Sequence, residues 1–168
     1  MSEQAPGQRA GRVMLLLAWL VAMGLATWLF GNWQDGRDNP NQQLQSLHGN
    51  GYIEVRLASG RGGHYSLNGQ INAQPVSFLL DTGATAVAIP AQLARDLQLK
   101  RGAPLQLSTA NGTVTGWRTR LTSLQLGDIQ LYDVAAIIVP NMGDEQVLLG
   151  MSALKQLEFT QRDGTLLL

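Results

Sequence analysis

The sequence predicts an all-β domain with one or two short helices, preceded by a single N-terminal transmembrane helix. Three features support this prediction. Residues 13–30 form an uninterrupted apolar run near the N-terminus. Beyond residue 49, short segments alternate between apolar and polar residues, which is typical of half-buried strands. Asn-Gly and Asp-Gly pairs separate several of these segments, as expected for tight hairpin turns.

Composition and charge argue against several classes of protein. The 168 residues carry twelve basic and twelve acidic side chains, whereas a nucleic-acid binder needs a basic face to neutralise phosphates. The sequence has no cysteine, which excludes disulfides, thiol nucleophiles and cysteine-ligated zinc. Its two histidines, His48 and His64, leave little material for a histidine-rich metal site. We therefore expect no nucleic-acid partner, no metal and no other cofactor.

The apolar run has the length of a membrane span. Residues 13–30 read VMLLLAWLVAMGLATWLF, and no charged residue follows until Asp35. At about 1.5 Å per residue, this run can cross a hydrocarbon core of about 30 Å. A cleavable signal peptide is the alternative, but its apolar region is usually only about 7–15 residues long. Arg9 and Arg12 precede the run, so the positive-inside rule places the short N-terminus in the cytoplasm.

These observations predict four segments. We expect a cytoplasmic N-terminus over residues 1–12, a transmembrane anchor over 13–34, a polar linker over 35–48 and a folded domain over 49–168. The linker prediction rests on a composition rich in Asn, Gln, Gly and Asp, which is too polar to bury a core.

The first predicted elements of the domain are a strand and a hairpin. Residues 52–57 alternate as a strand does, and the glycine-rich segment 59–63 ends it. Segments 64–70 and 71–80 are also strand-like. We predict that they pair through a turn at Asn68-Gly69, because Asn and Gly tolerate the positive φ of a tight turn.

A helix and a second hairpin come next. Leucines and alanines at helical spacing predict a helix over 91–99, with Pro90 in a favourable starting position. Asn111-Gly112 joins two strand-like segments, 104–110 and 113–126, into the second predicted hairpin. The remaining predictions are strands over 129–134 and 135–140, a short helix over 151–159, and a final hairpin that turns at Asp163-Gly164.

One carboxylate stands in an unusual position. In the sequence FLLDTGA, Asp81 follows three large apolar residues at the end of a strand that we expect to be buried. An ionised carboxylate is costly there unless it is hydrogen-bonded, paired or functional. Gly83 allows a tight backbone turn toward the carboxylate, and Thr82 adds a hydroxyl. A plain surface turn is the alternative, since turns favour Asp and Gly.

This stretch resembles the active-site motif of retropepsin-like aspartic proteases, in which two hydrophobic residues precede Asp-Thr-Gly and then Ala or Ser. Such proteases have a second signature, two hydrophobic residues and a Gly that opens a short helix, and Leu148-Leu149-Gly150 matches it. Their flap hairpin corresponds to the hairpin at Asn111-Gly112. The resemblance covers residues 49–168 and is strongest to the bacterial membrane-anchored, single-domain group with the sequence DTGAT, although Thr85 stands where viral enzymes commonly have Asp or Asn.

The resemblance implies a closed retropepsin-like β-barrel and a peptide or protein substrate. It implies that Asp81 is the catalytic carboxylate and that Thr82, Gly83 and Ala84 form the active-site loop. It further implies that Asn111 and Gly112 form the tip of the flap. The residues expected to support the loop from behind are Leu148, Leu149 and Gly150. The resemblance also implies a single-pass protein of a bacterial inner membrane, with the protease domain on the periplasmic side.

The chemistry requires two carboxylates that share one proton, one acting as base on a water and the other polarising the scissile carbonyl. The sequence has a single Asp-Thr-Gly, and Asp128, Asp133, Asp144 and Asp163 lack these flanking residues. We therefore expect a homodimer in which each copy supplies Asp81 across a two-fold axis. The alternative is a catalytically inactive barrel of the same family that acts as a binding or assembly module.

Other motifs favour structural roles. Ser152 and Lys155 match the S-x-x-K spacing of β-lactamases, but the other motifs of that class are missing, so a solvated Lys on a short helix is favoured. Trp117 is a weak candidate for the flap base, and packing is favoured for it. For His64 we expect an ordinary strand position, and for Arg118 and Arg120 a solvent-facing one.

Overall fold

The computed structural model describes residues 6–109, 112–142 and 146–168, and it leaves undescribed the side chains of residues 6–10, 32–38, 61 and 109. The chain divides into two compact units. The first is an N-terminal helical unit, and the second is a β-rich unit that begins at Asp38.

The N-terminal unit is one long helix, α1 (Pro6–Asp38). Within it, Gly11–Gly31 has a mean hydropathy of 2.2, and none of these 21 residues is buried. The segment is long and apolar enough to cross a membrane, and a signal sequence near the N-terminus would also meet these criteria of length and composition. The apolar helix therefore matches the fold prediction.

The β-rich unit is built from short strands and two short helices in the part that the structure describes. Its elements in chain order are β1 (Ser46–His48), β2 (Ile53–Ala58), β3 (Ser66–Ile71), β4 (Gln74–Leu80), β5 (Val87–Pro90), α2 (Ala91–Asp96), β6 (Pro104–Thr109), β7 (Gly112–Leu126), β8 (Ile129–Val139), β9 (Val147–Leu149), α3 (Met151–Leu154), β10 (Thr160–Arg162) and β11 (Thr165–Leu167). A single 3₁₀ turn (Arg61–Gly63) separates β2 from β3. The prediction of a mostly β domain with short helices is confirmed.

The strands form a closed barrel and a smaller sheet. Seven strands follow the order β3-β4-β9-β5-β8-β7-β6, and a further pairing between β3 and β7 closes the ring. The smaller sheet has the order β1-β2-β11-β10. In it the end of the chain returns to β2, because the Val55 and Leu168 backbones exchange two hydrogen bonds of 3.0 Å.

The barrel interior is filled by alternating apolar side chains of these strands, as the period of two in the sequence predicts. The largest fully buried side chains are Phe78, Leu57, Leu67, Ile71, Ile89, Leu121, Leu124, Leu126, Ile138, Leu149, Leu154 and Val55. This core places β4, β5 and β9 next to one another, and the loop after β4 lies above them.

The first predicted hairpin turns at a different place. Asn68 and Gly69 lie inside β3, and the turn between β3 and β4 is formed by Asn72 and Ala73, both with positive φ. Gly69 is needed for another reason, because a Cβ there would overlap the carbonyl oxygen of Gln125 and would lie 2.9 Å from the Phe78 ring. The prediction of a turn at Asn68-Gly69 is wrong, since this glycine allows the close approach of β7.

The two other hairpins form between the predicted strands. Asp163 and Gly164 both have positive φ and connect β10 to β11, which confirms the final turn. Thr109 pairs with Gly112 in the β6–β7 hairpin. Asn111, predicted for the tip of this hairpin, lies outside the described residues.

The end of the segment predicted as a polar linker belongs to the β-rich unit. Asn41 is only 5% exposed, and its side-chain amide donates hydrogen bonds to the carbonyl oxygens of Ala58 and Ser66 at 2.9 and 2.7 Å. Its side-chain oxygen accepts a hydrogen bond of 2.7 Å from the backbone N–H of Ala58. Residues 46–48 then form β1. Polar composition alone did not predict that Asn41 is buried. A polar side chain can be buried when other parts of the fold satisfy its hydrogen bonds, and for Asn41 these parts are Ala58 and Ser66.

Candidate active site

Asp81 follows directly after β4, where the core strand ends. β4 runs parallel to β9, with Leu80 opposite Leu149, and the backbone N–H of Asp81 donates a 3.2 Å hydrogen bond to the Leu149 carbonyl. Of the three apolar residues before Asp81, Phe78 is fully buried in the core and Leu80 packs partly buried against it, which anchors the end of the strand. The Asp81 side chain is thereby held, half-buried, at the edge of the core.

The loop after Asp81 folds back on its own carboxylate. The Gly83 N–H donates a 2.8 Å hydrogen bond to Oδ1 of Asp81, and the Ala84 N–H donates a 3.3 Å bond to the Asp81 carbonyl. A Cβ on Gly83 would lie 3.2 Å from the same Oδ1, which is tighter than most real contacts. Thr82 and Gly83 are exposed. The loop therefore fixes one carboxylate oxygen with a backbone donor and faces outward at its tip.

A second loop clamps this one from behind. The Met151 N–H donates a 2.8 Å hydrogen bond to the carbonyl of Ala84, which anchors the active-site loop to the start of α3. Gly150 has no room for a side chain, since a Cβ would overlap the Ala86 carbonyl oxygen and lie 2.8 Å from that of Ala84. The φ of Gly150 is −91°, a value that any residue can adopt. The lack of space for a side chain, and not the backbone conformation, therefore requires glycine here.

β9 holds the two strands on either side of the loop together. Leu148 lies opposite Leu79 of β4 and opposite Ala88 of β5. Leu149 is fully buried, and Leu148 is partly buried. The strand before the Asp81 loop and the strand after it are therefore both paired to the same three residues, Val147–Leu149.

Comparison with known proteins agrees with this geometry. Residues 67–156, more than half of the chain, match the family described as "gag-polyprotein putative aspartyl protease". The chain belongs to the retropepsin-like aspartic proteases.

The chain is also similar to individual proteins. The retropepsin-like aspartic protease from Rickettsia conorii is 26% identical, with a TM-score of 0.58 over 68% of this chain and 98% of that one. EIAV protease, solved with the inhibitor HBY-793, is 20% identical, with a TM-score of 0.44 over 54% of this chain and 85% of that one. An uncharacterised protein in the cobV 5′ region of Sinorhizobium sp. is 30% identical over 117 residues, 66% of this chain. The matched region spans about half (49%) of the length of that relative.

In this retropepsin-like barrel, β6 and β7 form the hairpin that resembles a flap. Gly112 begins β7 with a φ of +109°, a value that favours glycine. Trp117 lies at the base of the hairpin, opposite Pro104 and Ile138, and Arg101 stacks over its ring at 4.4 Å from the centroid. The packing role favoured for Trp117 agrees with these contacts.

Three of the four other acidic residues singled out from the sequence have partners or turns elsewhere in the β-rich unit. Asp128 is 3.4 Å from Nε2 of His48, Asp133 forms an ion pair with Arg120, and Asp163 lies in the final turn. Asp144 lies outside the described residues. In residues 6–109, 112–142 and 146–168, no hydrogen bond or ion pair joins Asp81 to a second carboxylate. The same residues contain no cluster of three or more His, Asp or Glu side chains that could hold a metal ion.

Ser152 supports the site in a way that the sequence did not predict. Its Oγ accepts a 2.9 Å hydrogen bond from the Val87 N–H and donates a 2.6 Å bond to the Ala135 carbonyl. The hydroxyl is therefore fully used between β5 and β8, while Lys155 is exposed. The S-x-x-K spacing is coincidental, and the single hydroxyl in the otherwise apolar helix MSAL was the available signal.

Two of the grooves in the described part of the β-rich unit differ in whether they include a residue of the loop after Asp81. One, of about 840 Å³, is lined by parts of β1, β2, β8 and β11 and by residues after α3, and it includes none of the Asp81 loop. The other, of about 480 Å³, begins at Ala86 and continues along the outer face of β7 and β8. The groove of about 480 Å³ is thus the one of these two that includes a residue of the loop after Asp81.

Proposed function

We propose that this protein is a membrane-anchored aspartic endopeptidase that hydrolyses peptide bonds as a homodimer. The observation that carries the proposal is the Asp81 carboxylate, which accepts a hydrogen bond from the Gly83 N–H. The loop that contains both residues packs closely against Gly150. Membership of the aspartic protease family supports it. Peptides or proteins are the proposed substrates.

The proposed chemistry uses the Asp81 side chains of two copies. One ionised carboxylate takes a proton from a water, whose oxygen attacks the carbonyl carbon of the scissile bond. The other, protonated, carboxylate hydrogen-bonds to the carbonyl oxygen, which becomes a hydroxyl of the tetrahedral intermediate. The C–N bond then breaks as the nitrogen takes up a proton from the dyad, which leaves a free acid and a free amine. Two carboxylates at such short range share one proton, because two negative charges there repel.

The neighbouring residues receive supporting roles in this proposal. The Gly83 N–H orients the carboxylate, and the exposed Thr82 is proposed to donate a hydrogen bond across the dimer axis. Ala84 keeps the loop narrow beneath the substrate backbone. Asn111 and Gly112 are proposed to close over the substrate as the tip of the flap. The support from behind comes from Leu148, Leu149 and Gly150.

The homodimer follows from the chemistry. A single Asp81 supplies one carboxylate, and the exposed tip at Thr82 and Gly83 leaves it accessible to a second copy. The apolar segment Gly11–Gly31 is proposed to be a retained anchor in a bacterial inner membrane, with the β-rich unit in the periplasm. Confinement to a membrane raises the effective concentration of the copies and favours their pairing.

The test uses the full-length protein in nonionic detergent and a fluorogenic peptide library, assayed from acidic to neutral pH. Wild type is compared with Asp81→Asn and with the matched control Asp163→Asn, which changes an exposed turn residue whose positive φ Asn tolerates. We expect cleavage by wild type and by the control, none by Asp81→Asn, and a rate that rises faster than linearly with protein concentration. A folded, dimeric wild type that cleaves nothing would instead indicate an inactive barrel that serves as a binding or assembly module.

A further inference from the structure

The groove that begins at Ala86 is strongly cationic. Four basic side chains line it, contributed by the segment between α2 and β6 and by β7: Lys100, Arg101, Arg118 and Arg120. Within the described residues no carboxylate lines this groove. Arg120 is paired with Asp133, whereas the described residues include no ion pair for the other three cations. The chain as a whole has no net charge, so this concentration of cations is local.

Backbone hydrogen bonds hold the two segments that carry Arg101 and Arg118 side by side. The Gly102 N–H donates a 2.7 Å hydrogen bond to the Arg118 carbonyl, and the Arg118 N–H donates a 3.0 Å bond to the carbonyl of Ala103. A Cβ on Gly102 would lie 2.9 Å from the Arg118 oxygen, so glycine lets the two segments lie side by side. Arg101 is held over the Trp117 ring rather than by a carboxylate. The points at which Arg101 and Arg118 leave the backbone are therefore fixed, and the Arg101 side chain is also held by its contact with the ring.

The floor of the groove is apolar. Arg118 lies opposite Ile137 and Arg120 opposite Ala135 in the β7–β8 pair, and Leu105 also lines the groove. A volume of about 480 Å³ is within the range of binding sites for small ligands or a few side chains. An apolar floor with a cationic rim suits the methylene groups and carboxylate of an acidic side chain.

The groove is within reach of a substrate bound at Asp81. Ala86 is five residues further along the chain, so its Cα lies at most about 17 Å from that of Asp81, at about 3.4 Å per extended residue. Val87, the next residue, pairs with Ala136 of β8, which also contributes to the lining of the groove. An extended peptide covers the same distance in about five residues. The Ala86 end of the groove therefore lies within the span of a few substrate residues from Asp81.

We propose that this groove is a specificity site that binds acidic side chains of the substrate, a few residues away from the bond that is cleaved. The proposal rests on the proposed peptidase function for its substrate. The proposed substrates are polypeptides with Asp or Glu near the cleavage site, a preference that the loop at Asp81 alone does not provide.

The test compares two peptide libraries with the same random central residues, flanked on both sides by Glu in one library and by Gln in the other. The full-length protein in detergent is assayed as wild type, as Lys100→Gln/Arg118→Gln, and as the matched control Lys155→Gln/Arg162→Gln, which removes the same charge from exposed positions elsewhere. The readout is the ratio of kcat/KM for the Glu library to that for the Gln library. We expect wild type and the control to prefer Glu and the groove variant to lose roughly fivefold of that preference. Added salt should reduce the wild-type ratio, because exposed charges are screened.

A wild-type ratio near one, or an undiminished ratio in the groove variant, would overturn the proposal. If wild type cleaves neither library, the peptidase function fails, and the groove is then tested by fluorescence anisotropy with labelled Glu and Gln peptides. Weaker binding of the Glu peptide to the groove variant than to the control would still support an acidic-peptide site. Equal binding of both peptides to all three proteins would exclude it.

Discussion

The carbonyl oxygen of Ala86 occupies the space that a Cβ on Gly150 would need. Two loops that are far apart in the sequence thus touch through their backbones, and the Met151 N–H adds a 2.8 Å hydrogen bond to Ala84. The position of Asp81 depends on this contact, because its own N–H is bonded to Leu149, the residue before Gly150. A single glycine therefore connects the packing of the barrel to the placement of the carboxylate.

We expect Gly150→Ala to destabilise the β-rich unit by about 1–3 kcal/mol, the usual cost of forcing extra volume into a packed site. The backbone oxygens of Ala84 and Ala86 cannot rotate away, so the strain must move one loop relative to the other. The measurement is urea unfolding of wild type and variant, combined with peptide cleavage. Unchanged stability together with unchanged cleavage would contradict the role assigned to this contact.

The sequence predicted the local structure around Asp81 more closely than that of other parts of the β-rich unit. Three apolar residues before Asp81 indicate a buried strand end, and Leu148-Leu149-Gly150 indicates the strand that pairs with it, because each pattern has few structural solutions. Asn68-Gly69 is compatible with two structures, a tight turn or a strand that another strand approaches closely. The position of Gln125 on the neighbouring strand decides between them, and the sequence does not show that position. Asn41 was assigned to a linker from polar composition, because its three hydrogen bonds go to Ala58 and Ser66, which are distant in the sequence.

Ser152→Ala should cost about 1–3 kcal/mol of stability, because it leaves the buried Val87 N–H and the Ala135 carbonyl without this partner. The matched control is Ser108→Ala, at an exposed position of β6, which should change stability by less than about 0.5 kcal/mol. Thermal or urea unfolding of both variants provides the comparison. If Ser152 were a nucleophile of the S-x-x-K type, the variant would lose cleavage at full stability, and Lys155→Gln would do the same.

The buried Asn41 predicts where the folded unit begins. Asn41→Ala removes the hydrogen bonds to the backbones of Ala58 and Ser66, and we expect a loss of about 2–3 kcal/mol in the free energy of unfolding. Gln43→Ala, an exposed change two residues away, should have almost no effect. A fragment that begins at residue 49 should likewise unfold at lower urea than one that begins at residue 38. Equal midpoints for the two fragments would show that residues 38–48 contribute nothing to the fold.

The proposed dimer makes a quantitative prediction for mixed samples. If cleavage needs Asp81 from both copies, equal amounts of wild type and Asp81→Asn, unfolded together and refolded in detergent, should form wild-type dimers in only about one quarter of the assemblies. Activity should therefore fall to about a quarter of that of an all-wild-type sample at the same total concentration. Mixing with Asp163→Asn in the same way should leave activity unchanged, since that residue lies in an exposed turn. A fall to one half with Asp81→Asn would mean that each copy acts alone, and the carboxylate that completes its site would then have to come from within the same chain.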